Sequence, residues 1–308
     1  MDMSGVMLKM AMMMVLIAIG YFCGKIKVAG PEFTRSASWI VVNIFTCAMI
    51  ISSAANSHAS VTGETMVTVT LWMSVFFIIN ALIGWLTPKI FRVKSGADGV
   101  MIFMIGVMNT VFIGYPVLQI VYGDMGIFYA SLSNIPSNIL IYSWGVNQLS
   151  KGTPGYDGRI QWRKMLSAPM VSTLIAVIIF ATKLQLPQIV TDTLDTLSGA
   201  TIPLSMIVVG ATLSRVPLGE TFKDKNTYIM SFVRLIVCPV ATFFALKWFI
   251  KDPVILGTIV ILASTPAAVL AATLGIECGR DGVAASRGIF VSTVLSVFTI
   301  PLIIWLLL

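Results

Sequence analysis

Two asparagines four residues apart, Asn134 and Asn138, lie in the apolar stretch SLSNIPSNILIYSWG, and that spacing sets both amides on one face of a helix. An amide facing lipid is costly, so such a pair either hydrogen-bonds between helices or donates to a bound solute. A second polar pair, Asn109 and Thr110, stands in MIGVMNTVFIGYPVLQIVYGD, followed by Pro116 and flanked by Gly106 and Gly114. Proline has no backbone donor and strains against the carbonyl four residues earlier, here that of Phe112. Ser264, Thr265 and Pro266 in VILASTPAAVLAATLG repeat the pattern, with the Leu262 carbonyl freed. Backbone groups released in hydrocarbon must be satisfied by protein or by a water-filled cavity, and half-helix N-termini aimed at that cavity favour an anion. The chemistry these residues suit is the binding of an anionic solute at membrane depth.

Arg234 and Arg287 also fall inside apolar runs. Each either snorkels to the nearer interface or contacts a substrate, and Arg287 sits in GVAASRG, a small-residue stretch able to line a cavity. No Asp or Glu lies in the middle of a run, so no proton- or sodium-carrying carboxylate is evident, although Asp98, Asp124 and Asp281 stand at run ends. The coupling ion is left open. The one histidine, His58, falls in an expected loop, and HExxH, GxSxG and P-loop patterns are missing, which argues against an enzyme. Cys23, Cys47, Cys238 and Cys278 show no CxxC spacing and read as small apolar residues, with no metal or cofactor implied.

The elements that must position these groups follow from composition. Of 308 residues 57% are hydrophobic and 11% charged, with a mean hydropathy of +0.94; a soluble domain is about 25% charged. A water-soluble globule is excluded, and long continuous apolar runs exclude a transmembrane barrel. The first run lacks a basic start and an A-x-A site, so it reads as a retained helix rather than a cleaved signal. Ten runs are long enough to span a bilayer: Gly5 to Gly24, Ser36 to Ala54, Thr65 to Thr87, Gly99 to Val121, Met125 to Gln148, Met165 to Thr182, Thr196 to Ser214, Thr227 to Leu246, Pro253 to Ile276 and Gly282 to Leu308.

The net charge of +7 resides in short clusters between runs, which fits bilayer orientation better than nucleic acid. Fourteen of the 20 Lys and Arg fall in alternate connections, beginning with Lys25, Lys27 and Arg35, against four on the opposite side. The rich side is expected to be cytoplasmic, with both termini extracellular or periplasmic in an inner, plasma membrane. The polar connection 151–164, KGTPGYDGRIQWRK, divides the chain into a first half, 1–150, and a second, 165–308, with five runs each. An odd number per half inverts the second half, and Pro116 and Pro266 fall in the fourth run of each. The expected fold is an all-α polytopic membrane protein of ten transmembrane helices, arranged as two inverted five-helix repeats with proline-broken, crossed fourth and ninth helices.

NTVFIGYPVLQIVYGD (109–124), GATIPLSMIVVGATLS (199–214) and STVLSVFTIPLIIWLL (292–307) together resemble the signatures of the auxin efflux carrier family. The resemblance covers the whole chain. It implies a secondary carrier of organic anions in which Asn109 and Pro116 belong to a first crossover, Pro266 to a second, and Asn134 and Asn138 to a polar contact region of the fifth span. Ala48 departs from the proline that the second span commonly carries, while its counterpart Pro203 is present. The short linker is more like that of prokaryotic members, which are associated with malonate, malate and similar carboxylates. The expected partners are a small organic anion and membrane lipid, with a homodimer among the assemblies open to such a chain. A sodium-coupled carrier of the bile-acid symporter type and a ligand sensor that moves nothing are the competing readings.

Overall fold

The computed structural model describes residues 3–56, 62–93, 98–151, 153, 162–216, 221, 224–280 and 282–308. His58, Lys94, Arg159, Lys223, Asp281 and most of the 151–164 connection lie outside the described residues. The described chain is helical, with one isolated antiparallel bridge between Met108 and Ala267. Among the described residues, seven helical stretches are long and apolar enough to cross a membrane, and Ala168–Thr182 and Pro253–Ser264 are shorter apolar helices. One of the seven, Thr110–Ser150, has 41 residues, which as a straight helix would be about 60 Å long, twice the thickness of a hydrocarbon core. Gly123, at φ 60° and ψ −146°, interrupts it with a backbone conformation that only glycine adopts at low cost.

The chain divides into two compact units. Unit one comprises Met1–Leu71, Val111–Asn134 and Ser167–Arg215. Its helix α1 (Met3–Lys25) is apolar around its circumference from Met10 to Cys23, with Lys9 and Lys25 on either side of that stretch. It packs closely on the helix Gln188–Leu213, because Gly20 lies against the Ile207 carbonyl and Gly210 against the Ile17 carbonyl. Small residues that let backbones approach are the usual adhesive where lipid removes the hydrophobic drive between helices. Pro31 starts the helix that ends at Asn56, where its missing donor costs nothing. Ser167 caps Ala168–Thr182 by accepting from the Met170 amide. The Arg215 guanidinium donates to the Ala29 carbonyl at 3.1 Å and to Thr34 Oγ1 at 2.7 Å.

Unit two comprises Trp72–Thr110, Ile135–Leu166 and Val216–Leu308. Its core is built from Phe103, Ile105, Val146, Leu149, Met230, Ala267, Ala271 and Ile289. Here α2 denotes Asp98–Gly106, α3 Lys225–Leu246, α4 Pro253–Ser264, α5 Leu270–Glu277 and α6 Gly282–Leu307. Asp252 caps α4 by accepting from the Val254 and Ile255 amides. Helix α3 contains a π turn at Val233–Val237, just before Pro239, and a π turn at Thr110–Gly114 likewise precedes Pro116. A proline that cannot donate into the preceding turn is accommodated by such local widening.

Candidate functional site

The unwound segments come from two helix ends in unit two. Helix α2 stops at Gly106, and residues 107–109 leave helical geometry before the π turn begins at Thr110. Helix α4 stops at Ser264, and the chain resumes helix at Leu270. The second break follows from sequence: the residue before a proline is pushed out of the helical region, and Thr265 has φ −71° and ψ 151°. The first break falls seven residues before Pro116. Pro116 instead occupies the first turn of the helix Tyr115–Leu132 in unit one, where a missing N–H is tolerated.

The two unwound segments satisfy each other. The Asn109 amide donates to the Pro266 carbonyl at 2.9 Å and the Ala268 amide to the Val107 carbonyl at 3.2 Å. The Ala267 amide, between them, donates to Ser292 Oγ on α6 at 3.3 Å. The side chains of Ser264 and Thr265 turn back onto their own helix, donating to the Ile261 and Leu262 carbonyls at 2.7 and 2.8 Å. Asn109, Ser264, Thr265 and Pro266 are buried, and Thr110 is half-buried.

Arg234 lies behind these breaks. It stands in the π turn of α3, is 0% exposed, and its guanidinium reaches the Thr265, Ile105, Leu262 and Ala263 carbonyls and Asn80 Oδ1. It neither snorkels nor lines an open surface, and its contacts reach residues on three other helical stretches. Arg287, on α6, is half-buried five residues ahead of Ser292.

The asparagine pair of the fifth run is divided. Asn138 is buried in unit two, whereas Asn134 closes unit one. Asn134 Nδ2 donates to Tyr115 Oη and to Thr173 Oγ1, each at 3.0 Å, and Thr173 Oγ1 donates onward to the Ser131 and Pro169 carbonyls. This is a buried polar network of the kind that fixes helix packing. Sequence reasoning missed Asn80 and Ser292. Asn80 stands in an apolar run, and Ser292 opens the Ser-Thr motif near the end of the chain; both were visible as polar residues at depth, without a partner to give them meaning.

At one end of unit two, Lys164 Nζ pairs with Glu277 at 2.7 Å, and this pairing holds the lysine pKa above its ordinary value. The Arg280 guanidinium donates to the Leu149 carbonyl at 2.7 Å and also to the Lys151 carbonyl. Among the described residues no cluster of His, Cys, Asp and Glu has the makings of a metal site.

The family described as membrane transport protein matches residues 5–159 and 156–304. An uncharacterized transporter of Methanothermobacter thermautotrophicus is 28% identical over 290 residues, covering 94% of each chain. An uncharacterized transporter of Methanocaldococcus jannaschii is 26% identical over 305 residues, covering 96% of each.

Proposed function

The chain belongs to the membrane transport protein family, that of the auxin efflux carriers, and from that premise we propose that it is a secondary transporter moving small organic anions by alternating access. Carboxylates such as malonate, malate or auxin-like acids are the expected substrates. The observation that carries this reading is the doubly broken backbone of unit two, where Val107–Asn109 and Pro266–Ala268 are held to each other by main-chain hydrogen bonds. Irregular backbone at membrane depth is tolerated where it is buried in protein or lines a cavity, and discontinuous helices are how transporters build ion and substrate sites. The positive end of α5, which begins just past the second break, and the side-chain amides of Asn109 and Asn138 supply donors to a carboxylate without the burial of a further full charge. Thr110, Ser264, Thr265, Pro266 and Arg287 belong to the same unit.

The proposed topology is ten spans in two inverted five-helix repeats, with both termini outside. Contacts within each unit support it. Arg215 ties the connection after the seventh run to that after the first, Lys164 faces Glu277, and Arg280 meets Leu149 and Lys151. Each contact joins two segments that the basic-residue count assigns to the cytoplasmic face. Toward the other face, Ser52 and Asn56 both donate to Asp195.

The test is uptake into proteoliposomes of radiolabelled malonate, malate and indole-3-acetate, with and without sodium and proton gradients. Saturable uptake of at least one anion is expected. A flat response to all three favours the sensor reading.

A further inference from the structure

Arg234 has five N–H donors, and each is used. Nε donates to the Thr265 carbonyl at 2.9 Å, Nη1 to the Ile105 carbonyl at 2.8 Å and Asn80 Oδ1 at 3.1 Å, and Nη2 to the Ala263 and Leu262 carbonyls at 2.7 and 3.3 Å. Among the described residues no carboxylate pairs with it. Its partners are mostly main-chain oxygens of one kind. Ile105 lies in the last turn of α2, Leu262 and Ala263 lie in the last turn of α4, and Thr265 follows directly. The final carbonyls of a helix lack the usual donor four residues on, and each helix end carries about half a negative charge; of these oxygens, that of Leu262 is shared with the Thr265 N–H and hydroxyl. Two such ends amount to about one negative charge, which one guanidinium balances.

In transporters with discontinuous helices, unwound carbonyls and half-helix C-terminal ends are the groups that coordinate a driving sodium ion or proton. A sodium ion and a guanidinium compete for the same oxygens. Here a covalently tethered cation that cannot lose its charge at physiological pH already occupies them.

We propose that Arg234 is a built-in counter-cation that takes the place of a coupling metal ion at the helix breaks of unit two, so that the carrier works without sodium. The word coupling rests on the transport reading above; the occupancy of the oxygen cage does not. Arg234 is a positioning residue: it fixes the Ile105 and Leu262–Thr265 carbonyls, and through them the two breaks, without touching the transported anion. Replacing it by a neutral side chain leaves a net negative cage of carbonyls and Asn80 Oδ1 open to an alkali cation.

The experiment compares the purified full chain, Arg234→Gln and Arg234→Lys by thermal unfolding in sodium, potassium and choline chloride at equal ionic strength. The wild type and the lysine variant, which keeps the charge, should melt at the same temperature in all three salts. Arg234→Gln should melt lower in choline and recover by about 3 °C or more in sodium. If the glutamine variant does not survive extraction in choline, its recovery from membranes extracted in sodium supports the proposal, and equal loss in both salts overturns it. A sodium-specific rise for the wild type, no sodium response for the glutamine variant, or an equal response in the lysine variant also overturns it. Wild-type anion uptake that needs sodium overturns the proposal while upholding transport. Absence of uptake in every salt, with the stability pattern intact, strikes the transport reading and leaves the cation assignment standing.

Discussion

The amide of Asn109 donates to the carbonyl of Pro266 at 2.9 Å, joining two residues from opposite halves of the sequence. With the return bond from Ala268 to Val107, each unwound segment supplies the donors and acceptors that the other lost when its helix stopped. Neither break is affordable alone at membrane depth, where an unsatisfied backbone group costs several kcal/mol.

Pro266→Ala restores a backbone donor and lets Thr265 return to helical geometry. Continuous helix then competes with the paired segments. Anion uptake should fall about tenfold or more, corresponding to roughly 1.4 kcal/mol against the broken state, while the amount of protein in the membrane stays near that of wild type. Unchanged uptake would remove the second break from the mechanism.

Asn109→Ala and Asn134→Ala should separate function from packing. The first removes a proposed donor to the anion and should weaken binding by about fivefold to a hundredfold, or about 1–3 kcal/mol. The second leaves Tyr115 Oη and Thr173 Oγ1 without their amide and should cost about 1–3 kcal/mol of stability instead. Titration calorimetry with the transported anion and thermal unfolding on the same samples distinguish them. Asn138→Ala should follow Asn109→Ala.

Gly210→Leu should abolish accumulation of folded protein, because its backbone already meets the Ile17 carbonyl and the Tyr21 amide of α1. Gly63→Ala, with open space around it, should accumulate as wild type does. Fluorescence-detected size exclusion of tagged variants reads both.

Glu277→Gln should change stability by less than about 1 kcal/mol, because both partners of the pair with Lys164 are about half exposed. The lysine pKa is raised in the folded state, so its contribution is fully present below the unfolded value of about 10.4 and is lost only as pH rises through the folded one. The difference between variant and wild type should therefore be flat from pH 6 to pH 9 in a melting series.

Reporter fusions after Leu308 and within 151–164 should land on opposite faces of the membrane, because 14 of the 20 Lys and Arg fall in alternate connections of the ten-span topology proposed above. Both on one face would dismantle the ten-span topology.

Much of the helical framework was legible in the sequence, because hydrocarbon leaves the backbone few alternatives. The first run, read as Gly5 to Gly24, is the helix Met3–Lys25, and the last, read as Gly282 to Leu308, is Gly282–Leu307. The fourth and fifth runs, read as Gly99 to Val121 and Met125 to Gln148, leave Gly123 between them, and there a positive φ interrupts the stretch Thr110–Ser150. Pro266 announced its break because a proline constrains the residue before it. Pro116 did not mark the first break, since in the opening turn of a helix a proline disturbs nothing.

The sequence by itself determined that this chain is a helical membrane protein with polar residues at depth, because composition and run length are local properties. Only the tertiary structure decided which of those residues answer one another. Arg234 read as a side chain that either snorkels or touches substrate, but its acceptors come from positions 80, 105 and 262–265. Asn134 and Asn138 share a helix face by spacing, yet Tyr115 and Thr173 draw the first into the packing of unit one. A buried polar group takes its role from the partner that satisfies it, and spacing along one helix does not name partners supplied by others.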